Sequence, residues 1–184
     1  MDQRIENTYT ALQGSMRELL GQSAWDEITV RMLCDRAGVS RTTFYSHFNN
    51  KEDLLDSLLD MFEAAMLAAN NGRSLEQTQS FTFLPLLVGH VSGNRALFAA
   101  TNQEVDGYPV AVRFRRLIEK LVATELAEFR ANSSSNYSQS FIAGGIYWCL
   151  VTWCGSSKDA THLKLLEEID GYVRIQLQEI YDSG

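Results

Sequence analysis

Apolar residues recur at intervals of three and four along almost the whole chain, and only two prolines, Pro85 and Pro109, stand where they can interrupt the pattern. Such spacing lays a hydrophobic stripe along one side of a 3.6-residue helix, and proline is the residue that breaks a helix from within. The chain is therefore read as all-α. Its 184 residues, 45% of them hydrophobic, are enough to bury a real core. The spacing predicts helices over roughly 3–20, 30–36, 41–48, 50–70, 75–91, 94–104, 109–131, 138–155 and 160–182, about nine in all.

The first of these carries Ile5, Tyr9, Leu12, Met16, Leu19 and Leu20 on one face and ends at Gly21. A connection through Trp25 and Ile28 reaches Thr29, a side chain suited to cap the helix that starts at Val30. Ala37-Gly38-Val39-Ser40 then supplies a sharp turn: glycine accepts the positive φ that ends a helix, and serine caps the next one. In the short helix that follows, Phe44 and Phe48 share the buried side, leaving Arg41, Thr42, Thr43, Tyr45, Ser46 and His47 on the others. Two short helices joined by a glycine turn, the second polar on its outer faces, fit the helix-turn-helix arrangement.

That polar set suits the major groove of double-stranded DNA. Arg41 can reach guanine O6 and N7 or a phosphate, Thr42 and Thr43 can meet a thymine methyl or a base edge, and Tyr45 and His47 can hydrogen-bond phosphate oxygens. Thr29 and Lys51, each at a helix N-terminus, are placed to hold the backbone on either side. Spacing alone also admits an ordinary solvated face for Arg41, Tyr45 and His47, and Phe44 and Phe48 are core on either reading. A net charge of -7 argues against a nucleic-acid binder when taken over the whole chain. Its distribution does not, because the window from Arg36 to Lys51 holds Arg36, Arg41, His47 and Lys51 and neither Asp nor Glu.

The ordered run of Ile28-Thr29-Val30, then Ala37-Gly38-Val39-Ser40-Arg41-Thr42-Thr43-Phe44-Tyr45-Ser46-His47-Phe48, then Lys51-Glu52-Asp53-Leu54 closely resembles the DNA-binding domain of the TetR family of bacterial repressors. The resemblance covers about the first 60 residues. It implies a three-helix N-terminal domain that reads an operator, a long fourth helix leading to a diverse C-terminal domain, and a dimer formed by the last two helices of each subunit. It also implies that Ser40, Arg41, Thr42 and Thr43 open the recognition helix, that Tyr45 and His47 turn toward phosphates, and that Lys51 opens the fourth helix. Leu33-Cys34 stands where the family often has Ile-Ala, and Arg41-Thr42 where glycine is frequent, so base preference is not readable. The expected organisation is a helix-turn-helix DNA-binding domain over 1–50 and a helical dimerisation and effector domain over 51–184. The expected function is that of a homodimeric transcriptional repressor released from operator DNA by a small-molecule effector. The alternative is a regulator that answers to a protein partner, or an activator, with no small-molecule ligand.

The C-terminal half supports a dimer by itself. Residues 138–155 are apolar almost all round, so that helix must be covered on every side, and Ala143-Gly144-Gly145 lets a neighbouring helix come close. The last helix adds Leu163, Leu166, Ile169, Val173, Leu177 and Ile180. Together they look like half of a bundle, with the core of one subunit as the other reading. Phe81, Phe83, His90, Phe98, Tyr108, Phe114, Tyr147 and Trp148 can line an apolar pocket or be plain core, and Arg113, Arg115 and Arg116 can meet an anionic ligand or face solvent.

No enzyme and no cofactor are expected, since there is no glycine-rich phosphate loop, His-Glu-x-x-His or Gly-x-Ser-x-Gly. Three cysteines make no disulfide framework, and Cys149 and Cys154, about 140° apart around one helix, do not suit a shared metal. No secretory leader is visible, and the longest apolar run, 141–154, falls short of the ~20 residues of a membrane span. A cytoplasmic protein with no membrane partner is expected.

Overall fold

The computed structural model describes residues 3–68, 75–95, 98–99, 109–129, 136–156 and 161–182. Every regular element among the described residues is a helix, as the spacing requires. The chain divides into two compact units, one of residues 1–62 with 100–113 and one of 63–99 with 114–184.

The first unit is built from α1 (Gln3–Leu20), a 3-10 turn at Trp25–Glu27, α2 (Val30–Ala37), α3 (Arg41–Tyr45) and the start of α4 (Lys51–Ala68). α1 packs on α2, and α2 on α3. Leu12, Met16, Leu19 and Leu20 of the predicted α1 stripe are buried, as are Trp25, Ile28, Leu33, Phe44, Phe48, Leu54 and Leu55. Each such side chain contributes ~1.5–3 kcal/mol by leaving water, so hydrophobic burial dominates the unit. Gln13 is one of the few buried polar residues, and its Nε2 donates to Ser57 Oγ at 2.9 Å, which ties α1 to α4.

The second unit holds α5 (Leu75–Thr78), α6 (Leu84–Gly93), most of α7 (Pro109–Phe129), α8 (Asn136–Gly155) and α9 (His162–Asp182). α9 packs against α6 and α8, and α6 against α8. Here the spacing predicted one helix over 75–91, and the structure has two. Gln79 takes φ 53°, Thr78 Oγ1 donates to Ser80 O at 2.5 Å, and the chain resumes helix at Leu84 with Pro85 in the first turn. Proline sets the break, because its missing N–H and bulky ring are tolerated in a first turn and not in the middle of a helix. The helix predicted over 41–48 ends at Tyr45, and the chain continues as a turn in which Phe48 N donates to Phe44 O at 2.9 Å. The helix predicted over 94–104 lies largely outside the described residues.

Glu125 of α7 is buried, and its carboxylate accepts from Thr82 N at 2.9 Å and from Thr82 Oγ1 at 2.5 Å. Two donors satisfy the carboxylate and fix the turn that precedes α6. Glu125→Ala is expected to lower stability by about 2 kcal/mol, because both Thr82 donors lose their partner. Urea unfolding measures this, and an unchanged midpoint would show that the turn holds without the carboxylate.

Candidate nucleic-acid interface

Local chemistry builds the helix-turn-helix step by step. Thr29, in extended conformation, caps α2 by accepting from Met32 N at 3.3 Å. The helix ends where Gly38 takes φ 68° and ψ 28°, the left-handed geometry that ordinary side chains resist, and the Gly38 and Val39 amides both donate back to Cys34 O. Ser40 then returns to extended geometry and caps α3, its Oγ accepting from Thr43 N at 3.0 Å and lying 2.8 Å from Thr43 Oγ1. Ser46 Oγ donates to Thr43 O at 2.7 Å just past the other end.

Aromatic packing sets the orientation of α3. Phe44 is fully buried, with Phe48 at 5.6 Å between ring centroids and Tyr9 of α1 at 5.0 Å from Phe48. With Phe44 turned inward, Arg41, Thr42 and Tyr45 lie exposed, Tyr45 at 57%. Thr43 is half-buried beside its cap, and His47 is half-buried with Tyr9 edge-on at 5.2 Å. Thr29 and Ser40 are exposed, and both hydroxyl oxygens serve as cap acceptors.

The basic window is less uniform than its sequence. Arg36 donates to Glu18 at 3.1 Å and to Gln22 at 3.0 Å, which directs its charge toward α1. Lys51 Nζ donates to Trp25 O at 2.7 Å and to Ile28 O at 2.9 Å, and lies 4.4 Å from the centre of the Trp25 ring. Arg41 has no ion pair among the described residues and stands as the exposed cation of the window. Sequence reasoning missed Tyr9 and Trp25 as the supports of His47 and Lys51; both are remote in sequence from the residues they hold.

Other candidates resolve as packing. Burial pushes the Cys34 thiol up, Asp35 adds to the effect and Arg41 opposes it. Burial likewise raises Cys149, and pushes Cys154 up to about 11. Cys34 and Cys154 are buried and Cys149 half-buried, and raised values favour the protonated thiol in each; no cluster that could hold a metal occurs among the described residues. Phe81 and Phe83 stack at 5.2 Å inside the second unit, while Phe98 lies 4.8 Å from Phe114, and Phe114 lies 6.4 Å from Tyr147. Tyr108 lies outside the described residues. Arg113 pairs with Asp56 and Arg115 with Glu119 at 3.7 Å, so these two cations already meet carboxylates. Trp148, at 64% exposure, does not line an interior; with Tyr137, Phe141, Tyr172 and Ile175 it belongs to an exposed apolar face of α8 and α9. A groove of about 250 Å³ runs along that face between Gly145, Cys149, Tyr172 and Val173. No described helix is long and apolar enough to cross a membrane.

Capped α2, a left-handed glycine, capped α3 and an aromatic brace behind it define a helix-turn-helix protein. Residues 16–58 match the family described as bacterial regulatory proteins, tetR family. Tetracycline repressor protein class A from transposon 1721 of Escherichia coli is 34% identical over 83 residues, which span 45% of this chain and 36% of that repressor. A TetR transcriptional regulator from Streptococcus agalactiae is 25% identical with a TM-score of 0.66, over 94% of this chain and 96% of that one. The FadR of Thermus thermophilus, a TetR-family repressor solved in complex with lauroyl-CoA, shares the fold at 19% identity and a TM-score of 0.60, over 92% of this chain and 93% of that one. Over residues 16–58 the chain is thus similar to the tetR family of bacterial regulatory proteins, and it spans 36% of the length of the Escherichia coli repressor it matches.

Gly38→Ala isolates the turn itself. A methyl group there would meet nothing within 4 Å, so the loss comes from the backbone alone. About 1–2 kcal/mol is expected from the left-handed geometry, measured as a lower thermal or urea midpoint with helix content unchanged in the folded state.

Proposed function

We propose that this chain is a homodimeric transcriptional repressor that binds operator DNA through α3 and leaves it when a small-molecule effector occupies the second unit. The observation that carries the proposal is the exposed Arg41-Thr42-Tyr45 surface, held outward by a buried Phe44. Arg41 and Thr42 read base edges, with Thr43 beside them, while Tyr45, His47 and the capped N-termini at Thr29 and Ser40 meet phosphates; Lys51 supports that surface. The DNA-binding domain is assigned to residues 1–50, and dimerisation and effector binding to 51–184. The family is one of regulators and not of enzymes, and the protein is assigned to the cytoplasm, where operator DNA lies.

The second copy is assigned to the exposed face of α8 and α9. Phe141, Trp148, Tyr172 and Ile175 on two neighbouring helices form an apolar surface of the kind that marks an association site, and two-fold symmetry lets the same surface serve both subunits. Two reading heads on one axis meet successive major grooves, so the operator is a near-palindrome with half-sites about 34–36 Å apart or somewhat more. An effector releases the protein by favouring another spacing of the heads, and a near-complete switch needs ~5.5 kcal/mol of preference between the two states. The lauroyl-CoA complex of the Thermus thermophilus relative supports an effector of substantial apolar content.

Selection of bound duplexes from random DNA tests the reading. Arg41→Ala is expected to weaken the selected site by about 1–3 kcal/mol and relax one base position, whereas Tyr45→Ala weakens all sequences alike. Failure of the native protein to enrich any duplex would overturn the proposal. For the dimer, Trp148→Glu is expected to yield folded monomer in sedimentation, because an exposed side chain is changed and its charge meets the partner; a variant that remains dimeric would remove α8 from the interface.

A further inference from the structure

Lys51 opens α4, where the helix dipole favours anions, and Glu52 and Asp53 follow it in the same turn. Asn50 Oδ1 accepts from Asp53 N at 2.8 Å and Asp53 Oδ2 from Asn49 N at 3.0 Å, so the turn is already capped without Lys51. A cation at this position therefore needs another reason. Its ammonium supplies one: it gives one proton to Trp25 O at 2.7 Å and another to Ile28 O at 2.9 Å, with the Trp25 ring centre 4.4 Å away. Trp25 and Ile28 are both buried. Trp25 O also receives Ile28 N at 3.1 Å, so the ammonium and the backbone together close the turn that delivers the chain to Thr29.

We infer that Lys51 is a positioning residue of the DNA-binding surface and not itself a phosphate contact. The inference rests on the DNA-binding reading and deepens it. With two protons on carbonyls and the ring beside it, the half-buried ammonium is turned toward the protein. It sets the start of α2 against the start of α4: Ile28 O, which it holds, immediately precedes the Thr29 cap. α2 in turn packs on α3. Loss of the ammonium takes that donor from Ile28 O and leaves Trp25 O with the Ile28 amide alone, which lets the Thr29 cap and α3 drift together relative to α4. The charge thus acts on DNA through backbone placement.

Lys51→Met, which keeps an unbranched apolar stem about as long as the lysine methylenes and removes the donors, separates the roles on duplexes selected by the native protein. The expected result is at least tenfold weaker binding by the folded variant, equal across sequences, with the salt dependence of binding unchanged. A phosphate contact would instead lower the slope of log K against log salt by about 0.9, and an affinity unchanged in the folded variant would make Lys51 merely structural; either result overturns the inference. Should Lys51→Met not fold, native protein labelled with 15N-lysine gives the answer. The Lys51 ammonium signal is expected to be protected from exchange in free protein and unmoved by DNA. A signal that becomes protected only on the duplex would assign Lys51 to a phosphate. Failure to select any duplex at all counts against the DNA-binding reading, and protection of the ammonium in free protein is read independently of it.

Discussion

A five-residue helix cannot hold itself together. Nucleation is unfavourable, and isolated helices of fewer than ~12–15 residues are marginal in water, whereas α3 runs only from Arg41 to Tyr45. Everything that keeps it helical comes from outside: the Ser40 cap, Phe44 in the core, and Phe48 between Phe44 and Tyr9. The burial of Phe44 also divides the helix into an inner and an outer side, so the packing that stabilises α3 is the same interaction that points Arg41, Thr42 and Tyr45 at solvent. Stability and the exposed polar surface of α3 have one cause, and a change of volume at Phe44 disturbs both.

Charge follows the same economy. The chain is acidic overall, yet the stretch from Arg36 to Lys51, which contains α3, has neither Asp nor Glu. Arg36 neutralises Glu18 on the far side of the window, and Asp35 pairs with Arg31 along α2 at 3.6 Å. With Lys51 turned to backbone carbonyls, the outward field at α3 depends on Arg41, on the helix N-termini of α2 and α3, and on hydroxyl groups. In the proposed DNA complex such a surface gains less from counterion release than a lysine-rich one and depends more on geometry.

The legible parts of the sequence were those whose physical cause is local. Thr29, Gly38 and Ser40 act within four residues of themselves, so capping rules located both helix starts and the turn between them. Helix spans in the C-terminal half were legible because periodicity is also local. The break ahead of α6 could be read from Pro85, and the apolar spacing across 75–91 concealed it. What was not legible depends on closure of the chain: Lys51 finds acceptors 23 and 26 residues away, and Arg36 finds Glu18 at a separation of 18. A lysine beside a helix start reads the same in sequence whether its ammonium meets a phosphate or a carbonyl.

The glycines of the last helices make a related point about what one chain can explain. Gly144 and Gly145 lie inside α8 and Gly171 inside α9, where each costs about 1 kcal/mol relative to alanine. A methyl group at any of the three would meet nothing within 4 Å in the same subunit, so intrachain packing gives no reason for their presence. The groove beside Gly145 is lined by Phe141, Tyr172 and Ile175, large side chains with no cover along part of their surface. A helix that gives up local stability on an exposed apolar face gains it back only if another backbone comes close there. The second copy proposed for this face supplies that backbone, with the absence of side chains at Gly145 and Gly171 setting how near it can pass.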